Sequence, residues 1–360
     1  MWRRLGAPSR QQHPSGASLV KPEGLLGVTP LHLPRMSVGE QRTAHICKAT
    51  QSRHLSSSCT GSVERSDRLP SVDEDCRNQK GDDMSQLSSL ARQVTLDDVW
   101  SSSVHSEICC LIYATQNGWK LPILFEEMGV PYDWALVDFE KNEQRSKGFL
   151  SINPNGRIPA LIDRGRGVAV AESGAILEYC ATRFASPLLP SPDEDLQLHL
   201  QTKQWLYWQV SGLGPAMGQA MYFQRIAKVR GHNDPFAIGR FIAEAERCLQ
   251  MLDDQLTSSG GPFLLGQRCT LVDVACFPYC ASAYWANVDI SAMSHLLAWI
   301  EMLRQRPSFS TGLALPFSRT AFFGPPYATP EEIEAEIARN AGQFAVISKS
   351  PSELPDMSAP

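Results

Sequence analysis

No stretch of this chain approaches the ~20 consecutive apolar residues that cross a bilayer as a helix. A helical integral membrane protein is thereby excluded. There is no C-x-x-C pair, since Cys276 and Cys280 stand four apart, and no Cys or His cluster has zinc-ligand spacing. The HExxH, GxSxG and Walker phosphate-loop patterns are missing too. Basic residues are not in excess: 33 Lys and Arg face 38 Asp and Glu, for a net charge of −5. Nucleic acid and anionic membrane surfaces require a basic face, so neither is an expected partner. No secretory apolar region opens the chain.

The ten cysteines (Cys47, Cys59, Cys76, Cys109, Cys110, Cys180, Cys248, Cys269, Cys276 and Cys280) are too sparse in 360 residues for a disulfide-stapled scaffold. Most fall inside apolar patterns, where a reduced cysteine is a small core residue. A reducing, cytoplasmic setting is expected, with no metal. If thiol chemistry occurs, the pattern points to a thiol that the protein does not own.

Hydrophobic residues make up 43% of the chain, enough for sizeable cores. At roughly 100–200 residues per domain, the length implies two domains with additional unstructured chain. Residues 1–94 show no sustained period of 2 or 3.6 and are rich in Ser, Arg, Gln, Gly and Pro. Within 1–60, eight Lys and Arg stand against two acids, Glu23 and Glu40. Three readings are open: a transit peptide for mitochondria or another organelle, which has this composition, a disordered extension, or sequence upstream of the true start codon.

From about 108 the texture changes. An apolar run, Cys109 to Tyr113, meets a polar break, Ala114 to Gly118, and then an amphipathic helix closed by Gly129. Pro122 is anomalous about a turn inside that helix. A strand over Tyr132 to Phe139, a further helix, two short strands and a helix from Ser173 follow. This order specifies a mixed α/β domain over 108–184. Residues 185–195 form a Ser/Pro-rich linker. An all-helical domain spans 196–312, with helices over Leu196–Gly212, Pro235–Leu256, from Thr270, and about 292–304. Thr270 and Asp273 have capping-box spacing. Residues 313–360 form a Pro-rich tail around a short acidic helix starting at Thr329-Pro330-Glu331-Glu332.

Four motifs together carry a family resemblance: Thr115-Gln116-Asn117-Gly118, Asn153-Pro154-Asn155-Gly156-Arg157-Ile158-Pro159-Ala160-Leu161, Glu172-Ser173-Gly174-Ala175-Ile176-Leu177, and Gln204 to Pro215. In order and spacing the chain resembles the cytosolic glutathione transferases, most of all the nu class and the related fungal nitrogen-regulator branch. The resemblance covers roughly 108–312. It implies a thioredoxin-like N-terminal domain followed by an all-helical one, a homodimer, and glutathione as bound co-substrate.

The resemblance also assigns roles. Ser173, at a helix N-terminus, is expected to hold the γ-glutamyl carboxylate, and Glu172 to meet the ammonium. Plain helix capping, worth about 1 kcal/mol, is the competing account of Ser173. Ile158-Pro159 is expected to be cis, turning Ile158 to pair with the cysteinyl backbone like an added strand. Thr115 and Asn117 are expected to face the sulfur; lowering a thiol from about 8.5 by two units takes ~2.7 kcal/mol. Gln116 departs from the proline usual between them. Tyr113 is the rival activator, with core packing as its other reading, and Asn117 has an N-cap reading as well. Gln144 corresponds to a contact for the glycine end, and Arg240 to one reaching across a dimer interface. Trp205, Trp208 and Tyr222, with Tyr207, are expected to frame the cleft for a second substrate, although their helical spacing also suits core positions.

The activity so implied is thiol–disulfide exchange, or conjugation to an electrophile, using a stabilised glutathione thiolate. A regulatory or interaction module without turnover is the other reading, because fold alone does not decide function.

Overall fold

The computed structural model describes residues 88–101 and 105–347. The expectations for residues 1–87 and for the last residues of the tail lie outside the described residues. A five-stranded sheet has the order β1-β3-β2-β4-β5. The central strand β2 (Ile108–Ile112) runs parallel to β3 (Tyr132–Leu136) and antiparallel to β4 (Ala160–Asp163). β5 (Val168–Ala171) closes one edge, antiparallel to β4, and β1 (Ala91–Val94) the other, parallel to β3.

Every residue of β2 is buried, because the sheet is covered on both faces. Strand alternation sends Cys109 and Leu111 into one core with Phe149 of α2 (Lys147–Ile152). Ile108, Cys110 and Ile112 enter the main core with Phe125 of α1 (Lys120–Met128) and Leu177 of α3 (Ser173–Arg183). The thioredoxin-like expectation is therefore met. β1 falls within 1–94, the stretch that sequence places outside the domain. Its middle residues Arg92 and Gln93 are exposed while Ala91 and Val94 are half-buried, so no alternation marks it as a strand.

The second half is helical. α4 (Leu196–Trp208), a π-helical turn over Gln209–Leu213, α5 (Gly214–Met221) and a second π turn over Tyr222–Ala227 follow without a break. Pro215 explains the first π turn, since it cannot donate to the carbonyl one turn back and its ring crowds that group. α6 (Pro235–Ser258) starts where Asp234 accepts from the N–H groups of Phe236 and Ala237. α7 (Leu271–Cys280) carries the Thr270/Asp273 capping box, and α8 (Ala283–Ala286), α9 (Ser294–Arg304) and α10 (Pro307–Ala314) complete the bundle.

The tail forms α11 (Pro330–Ile347), an 18-residue helix capped reciprocally by Thr329 and Glu332. It packs against the Tyr222–Ala227 turn. No helix among the described residues is long and apolar enough to cross a membrane.

Candidate active site

The loop from β2 to α1 is held at three points. Thr115 Oγ1 accepts from the Gly118 N–H at 3.2 Å, so Thr115, not Asn117, caps the turn that opens the helix. Gly118 must lack a side chain here: a Cβ would lie 1.9 Å from the Tyr113 carbonyl oxygen. Gln116, buried, donates to Ser282 Oγ at 3.2 Å, fastening the loop to the helical domain. Pro122 proves to sit in the first turn of α1, and the Gly118 carbonyl accepts from Leu121 instead.

Asn117 is free of the capping task and points elsewhere. Its Oδ1 lies 3.4 Å from Ser173 Oγ, a long hydrogen bond, and its side chain also bonds the Tyr279 hydroxyl. Ser173, the first residue of α3, is buried. Glu172 before it is exposed and adopts φ 70°, ψ 117°, a backbone region costly for a residue with a Cβ. Such strain persists where the surroundings over-determine it. The Ile158-Pro159 peptide is cis. Asn153 Nδ2 donates to the Arg157 carbonyl at 2.6 Å, holding the turn that leads to it. Among the described residues no hydrogen bond engages the Ile158 N–H or C=O.

Gln144 is buried next to this turn. Its Nε2 donates to Asn142 Oδ1 at 2.9 Å, while its Oε1 is buried with no partner. Gly156, at φ 63°, lies against the Gln144 carbonyl and the Arg145 guanidinium. Thr115, Asn117, Ser173, Glu172, Ile158 and Gln144 thus belong to neighbouring turns at one end of the sheet.

Other expected residues are not brought together. Arg240 is exposed on α6, where Glu244 is its charged neighbour, and within one chain it does not join the cluster. Trp205 and Trp208 pack edge to face at 5.0 Å, both half-buried against the core. Tyr222 pairs with Phe223 at 5.3 Å. At 1.5 Å per residue, fourteen positions separate Tyr222 from Trp208 by about 21 Å along the helical run, so these rings do not form one cluster. Tyr207 is exposed and donates to Glu178 at 3.0 Å. Tyr113 is buried, stacked on Phe139 at 4.5 Å and edge-on to Phe317 at 5.3 Å.

The geometry has clear relatives. The N-terminal domain model of glutathione S-transferase matches residues 112–182, and the C-terminal domain model matches residues 240–311. The disulfide-bond oxidoreductase YfcG of Escherichia coli (strain K12) is 34% identical over 206 residues, spanning 56% of this chain and 91% of that protein. The chain belongs to the glutathione S-transferase family.

Solved structures agree with this membership. A glutathione transferase family member from Pseudomonas fluorescens pf-5, with two glutathione bound, is 31% identical with a TM-score of 0.55, covering 61% of this chain and 98% of that one. Ure2p in complex with glutathione is 27% identical at the same TM-score, 0.55, and covers 61% and 98%.

Three features of this glutathione S-transferase chain escape a reading of sequence. Lys120 is completely buried, donating from Nζ to Gln209 Oε1 at 2.6 Å and to Ser173 Oγ at 3.1 Å. Its only sequence signal is its place beside Trp119, Leu121 and Ile123, in a run otherwise apolar. Tyr279, whose ring lies 5.5 Å below that ammonium, is pushed up by burial. Arg319, from the tail, donates to the Ala114 carbonyl and pairs with Glu336.

The thiols of the described residues are unsuited to nucleophilic work. All seven described cysteines are free, and six are buried. Burial pushes Cys109 up to about 12 and Cys110 well above the usual thiol range. No group of three or more His, Cys, Asp or Glu able to hold a metal occurs among the described residues.

Proposed function

We propose that this chain is a glutathione-dependent enzyme that carries out thiol–disulfide exchange through the thiolate of bound glutathione. The observation that carries the reading is the hydrogen-bonded link from Asn117 to Ser173. It joins the turn that opens α1 to the N-terminus of α3. An elongated ligand with an anionic end and a thiol finds complementary groups along that line: helix N–H groups at Ser173, open backbone at Ile158, a hydroxyl and an amide at Thr115 and Asn117. Glu172 is the counter-charge for the ligand's ammonium, and the unpartnered Oε1 of Gln144 is an acceptor suited to the glycyl amide N–H rather than to the terminal carboxylate. The disulfide-bond oxidoreductase name of the Escherichia coli relative, and the glutathione in the solved relatives, support the same class.

Thr115 is suited to its part because Gly118 donates to its oxygen, leaving the hydroxyl proton to be given to sulfur. The thiolate attacks one sulfur of a small disulfide. A glutathione mixed disulfide forms and the other sulfur leaves as a thiolate; a second glutathione thiolate then releases oxidised glutathione. Addition of the same thiolate to an electrophile is the transferase branch. A homodimer, with Arg240 reaching the partner's ligand, belongs to this proposal, and a reducing compartment suits the seven free thiols.

The deciding experiment compares glutathione-dependent disulfide reduction and aryl-halide conjugation by wild type, Thr115→Ala and Asn117→Ala. Losing one hydrogen bond to a developing thiolate is expected to lower kcat/KM by about 10- to 100-fold near neutral pH. If both variants match wild type, the assignment of the sulfur site fails. Removal of residues 1–87, which spares β1, is expected to leave turnover unchanged.

A further inference from the structure

Lys120 presents a problem that the proposed catalytic scheme does not use. Its ammonium is buried, yet none of its hydrogen-bond acceptors is an anion. Gln209 Oε1 accepts at 2.6 Å and Ser173 Oγ at 3.1 Å, while the Tyr279 ring lies 5.5 Å away. No carboxylate among the described residues comes within ion-pair distance of Nζ. A buried cation served only by neutral dipoles is costly, and the cost is relieved by an anion nearby or by loss of the proton.

The surroundings allow one place for that anion. From α3, Ser173 and, at its cap, Glu172 face the lysine; from α7, Cys276 and Tyr279; from the π turn, Gln209. Cys276 and Tyr279 are pushed up by burial and are neutral, and Glu172 is exposed to water. α10 packs along α1, with Gly312 against Ile123, but none of its residues is charged, and Glu127 at the far end of α1 is satisfied by Arg306 and Ser308. Gln209 Nε2 is itself buried without a partner, so it leaves the site no more negative. What remains is the N-terminus of α3, with Ser173 between the lysine and whatever binds there.

Hydrogen-bond counting gives Ser173 a direction. A hydroxyl has one proton, and the ammonium already donates into its oxygen. That proton can therefore only go outward, in the free protein to Asn117 Oδ1 at 3.4 Å. A carboxylate at the helix N-terminus is a stronger acceptor than that long bond.

We propose that Lys120 is a positioning residue for the γ-glutamyl carboxylate, acting through Ser173, and that it takes up a proton from solvent as that anion binds. The proposal rests on the glutathione reading above and deepens it. Burial draws the Lys120 ammonium down from 10.5 to about 7, so the free protein holds a mixture of both forms near neutrality. An anion one hydroxyl away favours the charged form. Turning the Ser173 proton to the ligand also releases Asn117 Oδ1, while the Asn117 side chain keeps its bond to the Tyr279 hydroxyl.

The test is calorimetric titration of the full chain with S-methylglutathione, which has no ionisable thiol, in phosphate and in Tris. At about pH 8 a lysine with a free-state value near 7 is mostly unprotonated, so uptake of more than about half a proton per site is expected. Lys120→Met is expected to abolish that uptake except for any share due to the ligand's own ammonium. The glutaryl analogue, which keeps the carboxylate and lacks the amine, reads the lysine in wild type alone and is expected to give uptake as well. Binding of both ligands without proton uptake overturns the proposal. So does equal uptake in wild type and Lys120→Met. Absence of any binding overturns the glutathione reading, and this proposal with it.

Discussion

The guanidinium of Arg319 donates to the carbonyl oxygen of Ala114 at 2.7 Å across 205 residues of sequence. The next residue is Thr115, whose N–H donates to the Tyr113 carbonyl at 2.8 Å. The peptide leading into Thr115 is therefore clamped on both sides, once by its own strand and once by the tail. Arg319 is held in turn by Glu336 and by Asn340 Oδ1 at 3.0 Å, both from α11, and its guanidinium lies over Phe322 at 4.2 Å.

Removing this clamp has a stability consequence. Arg319→Leu leaves Glu336 with only Asn340 Nδ2 at 2.6 Å and the half-exposed Arg339 at 3.5 Å, which is expected to cost about 1–3 kcal/mol in urea denaturation. Replacing both residues by leucine removes the stranded charge, so the double variant is expected to recover part of the loss. A single-variant loss below about 1 kcal/mol, the range of exposed pairs, would show that the tail supports nothing.

Lys120 imposes a pH dependence whose sign can be worked out. Its folded value, about 7, lies below its ordinary 10.5. Between these limits the unfolded chain carries a proton that the folded chain has shed, so stability rises with pH. Cys110 and the half-buried Cys269 act oppositely, since desolvation pushes them well above 9.0 and only their unfolded forms ionise there. The urea midpoint is therefore expected to climb from pH 7 to about 9 and then turn over. Lys120→Met is expected to flatten the climb and keep the turnover; parallel profiles in the two proteins would contradict the burial of a titrating lysine.

The backbone at Glu172 makes a third test. At φ 70°, glycine is relieved of the Cβ contacts that a glutamate suffers. Glu172→Gly is expected to raise stability by about 1 kcal/mol, the relief exceeding the entropy cost of glycine. It is also expected to weaken retention on glutathione resin, through loss of the counter-charge to the ammonium. A melting temperature that falls would show that the conformation is unstrained.

Much of the fold was legible because local chemistry and tertiary structure agree. The Thr270/Asp273 pair caps α7, Asp273 accepting as well from the Leu264 amide and Trp299 Nε1, each at 3.0 Å. Ser173 opens α3, and the apolar period of α6 marks its buried face. The motif residues near the sheet end could be named in advance because their spacing is short. What sequence could not supply are residues defined by distant partners. Lys120 looks like a solvated helix-start cation until Ser173 and Gln209, 53 and 89 positions away, are folded onto it. Arg319 lies in a segment whose composition suggests a loose tail, and its partners come from the start of the first domain and from α11. Nor does sequence convey that Trp208 and Tyr222, near along the chain, are carried about 21 Å apart by a continuous helical run.

The loop before α1 and the first residue of that helix are tied to Ser282 by Gln116, to Gln209 by Lys120 and to Arg319 by the Ala114 carbonyl, three bonds that all leave their own domain. The two halves are therefore not interchangeable parts. A chimaera that grafted this sheet onto another relative's bundle would inherit every motif at the ligand's edge and still lose the alignment of its reactive turn, unless three matching partners travelled with it.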